Sequence, residues 1–397
     1  MMWVDGADYE VPVREGLHDL THWLAARHYR RILIVVDTAL TNSSALRLIN
    51  ESADWAATGG CEAVLIGSDG AQGHSDEIAA IGALSNQVST ADCVVALGGG
   101  SVLDRIKLAR VAAHHPMLLD EICELGRSGF GSMSAIPAPP TDLVAVPSTI
   151  GTGSEVSRVA CVQLDARKRL IVGAALRPTL AVHDPAVTAT LPRELIAEGC
   201  LEILSRIWGL VAGSSTAVPT ADAVVTALAK RVMILGTACA DRTLTPAGMA
   251  ELASISAATH STMLMGVYNP FASKVWYLSN ELSVQFGIRK MTAIATLMPA
   301  WWRAILADDE RWGSATRLRT LWSEMYQAGL TQDNDPVKGL TTLIERWGIE
   351  RVRVPDRDTA GLAESICRAW GNGLPALGAL TREDISTVLR SSNVPGC

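Results

Sequence analysis

Residues 96–109 read ALGGGSVLDRIKLA. The stretch begins as the end of an apolar run, passes through three glycines and a serine, and resumes as a helix-forming sequence. Glycines let a backbone approach a phosphate closely, and the first turn of a helix offers unpaired N–H groups at the positive end of its dipole. The stretch therefore reads as a strand, a diphosphate seat and a helix. It is not the GxGxxG fingerprint of the standard dinucleotide fold. Taken alone, a plain tight turn accounts for it equally well.

The flanking sequence alternates in character. RRILIVVD (30–37), CEAVLIG (61–67), ADCVVALGGGS and DLVAVPST (142–149) are short apolar runs; SALRLINESADWAATG, EIAAIGALSNQV and LDRIKLARVAA carry helical patterns. Strands alternating with helices predict βαβ units and a parallel sheet, and continuously apolar strands predict a sheet covered on both faces. After DPAVTATLP (184–192) the pattern turns helical, over 193–212, 220–239, 246–268, 271–285, 291–306 and onward. The expected organisation is an α/β dinucleotide-binding domain with a parallel sheet over 1–185. An all-α domain carrying the substrate site follows over 186–397, with a cleft between the two.

A second polar, glycine-rich loop, VPSTIGTGSEVSR (146–158), leaves another strand. Two such loops in one α/β domain can grip a dinucleotide from both sides. Asp37 ends the first strand in VVDTAL. A carboxylate there accepts the hydroxyls of an adenosine ribose and repels the 2′-phosphate of NADP. An ordinary helix-capping role is the alternative.

Bulk properties exclude several classes. The 397 residues are 48% hydrophobic, with Trp (11) outnumbering Phe (3) and Tyr (5), as suits a soluble globular chain. Net charge is −7 with no basic block, which argues against nucleic acid or an anionic membrane as partner. The eight cysteines form no CxxC, so a reducing cytoplasm is expected. MMWVDGADYEVPV lacks the features of a signal peptide. Residues 252–273 run 22 positions without Asp, Glu, Lys or Arg, long enough for a membrane span, but scattered Ser, Thr, His, Asn and Pro favour a buried helix.

VVDTAL, GGGSVLDRIK, VPSTIGTGSEVS, DPAVTATLP and TREDISTVL together resemble the iron-containing alcohol dehydrogenase family, in its order and at its spacing. The architecture is similar to that of dehydroquinate synthase. The resemblance implies that Gly98, Gly99, Gly100 and Ser101 hold the pyrophosphate of NAD, that Asp104, Ser148, Thr149 and Thr152 line the nicotinamide side, and that Asp37 selects NAD. A homodimer is expected.

The same resemblance exposes a departure. The family holds Fe(II) or Zn(II) through an Asp and three His, the first two within G-x-D-x-x-x-H. Here Gly199 in EGCLEILSRIWG sets the register and puts Leu201 and Ser205 in those places. Pro299 sets the register of GIRKMTAIATLMP and puts the other two ligands at Trp276 and Lys290, with a further family histidine at Asn280. Leu has no donor atom and a lone Ser is a poor ligand. The histidines at 18, 22, 28, 74, 114, 115, 183 and 260 offer no replacement set. A metal-independent hydride-transfer site is expected.

Lys290 can replace the metal's charge beside a substrate oxygen, or act as general base; a solvated loop lysine is the alternative. Arg206 and Lys274 would enrich the site in cations, which suits a carboxylate-bearing substrate, although Arg206 can equally pair with Glu202 four residues earlier. His260 reads as a proton relay or as a satisfied core histidine. Trp276 would fill the volume vacated by metal and imidazole. The expected function is NAD-dependent oxidation of a hydroxyl on a small-molecule or peptide acid. Two branches similar to this chain set the range: maleylacetate reductases, and daptide-type dehydrogenases that oxidise and decarboxylate a C-terminal threonine of a ribosomal peptide. A lyase of the dehydroquinate synthase type and a non-catalytic nucleotide-binding relative are the other readings.

Overall fold

The computed structural model describes residues 10–57, 62–68, 77–164, 167–371 and 373–393. Residues 1–9, Cys61, His74 and Cys397 lie outside them. The strands are β1 (Val13–Glu15), β2 (Arg31–Asp37), β3 (Glu62–Ser68), β4 (Cys93–Gly98), β5 (Phe130–Ser132), β6 (Asp142–Pro147), β7 (Val159–Leu164), β8 (Arg167–Val172) and β9 (Leu180–His183). Six form one parallel sheet in the order β1-β9-β6-β4-β2-β3.

Side chains alternate across this sheet with the period of two that a strand imposes. Leu33, Val35, Val94, Ala96, Leu143 and Ala145 enter one core, with α3 (Glu77–Val88) and α4 (Gly100–Ala112) among its walls. Ile32, Ile34, Val36, Val95, Leu97 and Val144 enter the other, against α1 (His18–Ala25) and α2 (Ser44–Ala57). Because both faces are covered, the strand sequences carry no polar alternation. The remaining helices before residue 192 are α5 (Leu118–Glu124) and the single turn α6 (Pro185–Thr188), which the Asp184 side chain caps.

Five strands escape the sequence pattern. β1 and β5 span three residues each, too few to show a period, and β8 opens with the charged run RKR. β5, β8 and β7 make a second sheet in which β7 and β8 pair antiparallel.

The helical part comprises α7 (Arg193–Ala212), α8 (Pro219–Ala240), α9 (Pro246–Ala258), α10 (Thr262–Met265), α11 (Lys274–Gln285), α12 (Lys290–Leu306), α13 (Ala315–Gln327), α14 (Pro336–Arg346), α15 (Asp356–Trp370) and α16 (Arg382–Ser391). The single helix expected over 246–268 is broken. It stops at Ala258, restarts for one turn at Thr262, and ends before Asn269–Pro270. Apolar content alone could not place these stops; Gly266 and the Asn-Pro pair are the local breakers. The uncharged stretch 252–273 is therefore not one helix. Among the described residues, α8 is the one helix long and apolar enough to cross a membrane; its Val225, Ala229, Val232, Met233 and Cys239 are buried.

Two compact units result. One runs through Leu191 and includes Met249–Ala257 of α9; the other is Pro192–Gly248 with the chain from Ala258 onward. In the helical unit α7 is buried from Ala197 to Ala212 apart from Glu202, and α12 from Met291 to Trp302. Trp208, Trp302 and Trp322 pack as a triangle with ring centroids 5.5, 5.6 and 5.8 Å apart.

Candidate active site

In the α/β unit, β4 delivers the chain to Gly99, the N-cap of α4, and the helix starts at Gly100. A Cβ on Gly98 would stand 2.8 Å from Val102 Cβ, and one on Gly100 would stand 2.9 Å from Thr152 Cγ2. Close packing thus demands glycine here even before a ligand arrives. Ser101 is exposed on the first turn, which carries no acidic side chain to oppose an anion. Ser148 N–H donates to Gly98 O at 2.9 Å, joining the two glycine-rich loops.

The second loop is fastened at several points. Gly151 and Gly153 take φ of 99° and 62°, a region open to glycine. Gly151 N–H donates to Ser256 Oγ at 3.1 Å. Asp104 on α4 accepts from Ser154 Oγ (2.5 Å) and from Cys161 N–H (2.9 Å). Lys107, one turn on, is fully buried; its Nζ donates to Val159 O (2.8 Å), Ser154 Oγ (2.9 Å) and Ser157 Oγ (3.2 Å), with Asp104 at 3.4 Å. Burial pushes the lysine pKa down, and Asp104 opposes that shift. Asp104 and Lys107 are therefore the clamp that fixes the loop bearing Ser148, Thr149 and Thr152. Sequence reading picked out Asp104 and missed Lys107, although both stand in GGGSxxDxxK.

Asp37 ends β2, two strands from β6 in the sheet. Its Oδ1 accepts from Ala39 N–H at 3.1 Å, capping the short 3-10 turn Thr38–Leu40. The capping role is thus present, using one of two carboxylate oxygens.

In the helical unit, the two cations of GIRK separate. Arg289, the N-cap of α12, binds Glu198 of α7 through Nη2 (2.6 Å) and Nε (2.8 Å). Burial raises the Glu198 pKa, and the arginine works against that rise. Lys290 opens α12, half-buried, with Nζ 3.9 Å from the centre of the Trp276 ring of α11. The guanidinium of Arg206 on α7 lies 5.9 Å from the same ring centre. Arg206 is buried; it donates to Thr259 Oγ1 at 2.9 Å, while Glu202 is 3.9 Å away. Thr259 is the better partner, and nothing local in the sequence marks it, 53 residues from Arg206.

A cation in the first turn of a helix opposes the macrodipole, at a cost of about 0.3–1 kcal/mol. A cation over a tryptophan face recovers about 0.5–2 kcal/mol. Lys290 is held in place by its ring, and together with α12 it forms a positive spot suited to an anion. Asn280, one turn beyond Trp276, is buried, and its Oδ1 has no hydrogen-bond partner. His260 lies in the turn after α9, next to Thr259. Lys274 is buried at the start of α11, with its pKa lowered by burial to about 8.

These residues do not fit Fe(II) or Zn(II). Leu201 is fully buried and has no donor, and Ser205 spends its hydroxyl on Glu202 O at 2.9 Å. Trp276 and Lys290 are occupied with each other. Among the described residues no group of three or more His, Cys, Asp or Glu could hold a metal ion. The turn at 98–101, by contrast, keeps its glycines and a helix N-terminus free of carboxylates, and the loop after β6 is fixed beside it.

Residues 13–185 match the model of the family described as iron-containing alcohol dehydrogenase. Among curated proteins, an alcohol dehydrogenase of Thermococcus barophilus is 37% identical over 134 residues, 33% of this chain and 34% of that protein. A mitochondrial hydroxyacid-oxoacid transhydrogenase of Xenopus laevis is 34% identical over 115 residues, 28% of this chain and 24% of that protein. The chain thus spans about a third or less of these relatives' length. Solved structures match throughout. The NADH-dependent butanol dehydrogenase A of Thermotoga maritima aligns with a TM-score of 0.80 at 15% identity, over 98% of this chain and 99% of the other. An iron-containing alcohol dehydrogenase of Thermococcus thioreducens aligns with a TM-score of 0.74 at 20% identity, over 99% of each. The fold, a parallel-sheet α/β part followed by a helical part, is that of these dehydrogenases.

Proposed function

We propose that the protein is an NAD-dependent dehydrogenase that oxidises a hydroxyl group on a carboxylate-bearing substrate without a metal ion. One observation carries the proposal. Lys290 lies over the Trp276 ring with Arg206 beside the same ring, which supports a cationic site at the positions where the resemblance puts metal ligands, and the glycine turn at 98–101 supports a dinucleotide seat. The resemblance of part of the chain to hydroxyacid-oxoacid transhydrogenases agrees with a hydroxy acid.

In this reading the Gly98–Ser101 turn and the first turn of α4 hold the pyrophosphate. Ser148, Thr149 and Thr152, fixed by Asp104 and Lys107, line the nicotinamide side. NAD, when bound, supplies the hydride acceptor. Lys290 donates a hydrogen bond to the substrate oxygen and stabilises the negative charge that grows there, the task of the family's metal. Arg206 adds attraction for the carboxylate, and Trp276 is the apolar wall. Ser205, Asn280 and His260 belong to the same neighbourhood as pocket and relay candidates.

When the hydroxyl is β to the carboxylate, the product is a β-keto acid, which loses CO₂; a peptide ending in threonine is one such substrate. The proposal extends to a cytoplasmic homodimer with no nucleic-acid or membrane partner. The test is NADH formation across a panel of hydroxy acids and threonine-ended peptides, with and without a chelator. Peptides are also scored for loss of mass equal to CO₂ plus two hydrogens. Turnover lost on chelation and restored by Fe(II) or Zn(II) would sink the metal-free reading. NADP used as well as NAD would remove the role given to Asp37.

A further inference from the structure

The α/β unit contains a chamber that shares Thr149 with the nicotinamide side proposed above but is otherwise lined by residues given no role there. It lies where β6 and β9 end, beside residues 249–256 of α9. Its lining includes three carboxylates, Glu15, Glu155 and Asp184, and no Lys or Arg; His183 is the one basic side chain. Met249, Ala250 and Ala253 supply an apolar side.

The carboxylates differ in how they are satisfied. Asp184 is spent on the backbone, accepting from Ala186 N–H at 2.7 Å and Leu17 N–H at 2.8 Å. Glu155 is 3% exposed, and its Oε1 is 3.4 Å from His183 Nε2, longer than a well-formed hydrogen bond. Its Oε2 is buried with no hydrogen-bond partner, and so is Oγ1 of Thr149 in the same lining. A buried carboxylate oxygen without a donor is costly, even though the Lys107 ammonium lies close enough to attract Glu155.

We propose that this chamber binds a primary ammonium group carried by a small amine, with Glu155 as counter-ion and Thr149 Oγ1 as second acceptor. An ammonium provides several N–H donors and one positive charge, matching two orphaned oxygens in a lining that is net negative. Water would supply the donors and leave the charge excess. A divalent metal would find too few ligands. The assignment does not rest on the proposed dehydrogenase activity.

Thermal unfolding of the full chain at fixed ionic strength tests it. Methylammonium chloride at tens of millimolar is expected to raise Tm by about 2 °C over potassium chloride and tetramethylammonium chloride. The rise should vanish in Glu155→Gln and in Ala253→Leu, which fills the chamber without touching a polar group. If Glu155→Gln does not fold, Ala253→Leu decides. An equal rise with potassium would replace the ammonium assignment by an inorganic cation. No difference between salts, or a rise that survives in Ala253→Leu, would overturn the proposal.

Discussion

At the scale of single residues, adjacent cations have been given different work. Arg289 is tied to a buried carboxylate, whereas Lys290 rests on an aromatic face at a helix start, where its charge is unfavourable. Replacing Lys290 by Met retains length and apolar contact with Trp276 but removes the charge. Turnover of the best substrate is expected to fall about 10²–10⁴-fold, while NAD affinity, read by NADH fluorescence, changes little. Near-normal turnover in this variant would mean that another group carries the charge. The sequence register already pointed to Lys290 and Trp276. Thr259 was illegible, because the partner of a buried guanidinium is chosen by how α7 meets the end of α9, not by anything near either residue.

Secondary-structure elements carry the next level. α4 begins at the glycine turn and, one turn further, becomes the anchor of the other loop through Asp104 and Lys107. This explains why glycines, aspartate and lysine occur together in one short motif. Lys107→Met would strand Asp104 beside a buried gap, and breaking such a pair costs about 3–5 kcal/mol. Urea unfolding should show that loss, and KM for NAD should rise more than kcat falls. A variant as stable as the parent would show that Ser154 and Cys161 hold the loop unaided. α9 shows the limit of pattern reading. Its uncharged run continues to residue 268 in the sequence, yet the helix stops at Ala258 and restarts for one turn at Thr262.

For the whole molecule, pH offers a readout of burial. Lys274 has its pKa lowered from 10.5 to about 8 because burial disfavours the ammonium. Between those two values the unfolded chain holds the proton that the folded chain has released, so stability rises with pH across that window. Relative to Lys274→Met, the parent should gain up to about 3 kcal/mol from pH 8 to pH 10, measured by denaturant unfolding. Parallel curves for the two proteins would place Lys274 in solvent. The sequence by itself determined the alternation of strands and helices and the two glycine-rich turns that follow β4 and β6. Those features are local: a strand's apolar run or a glycine-rich turn is read from its own residues. The short strands β1 and β5, the stop of α9, the Thr259 partner and the Glu155–His183 chamber were decided only by the tertiary structure. Each depends on which surfaces meet across long stretches of chain, and burial, not residue type, sets whether a polar atom there finds a partner.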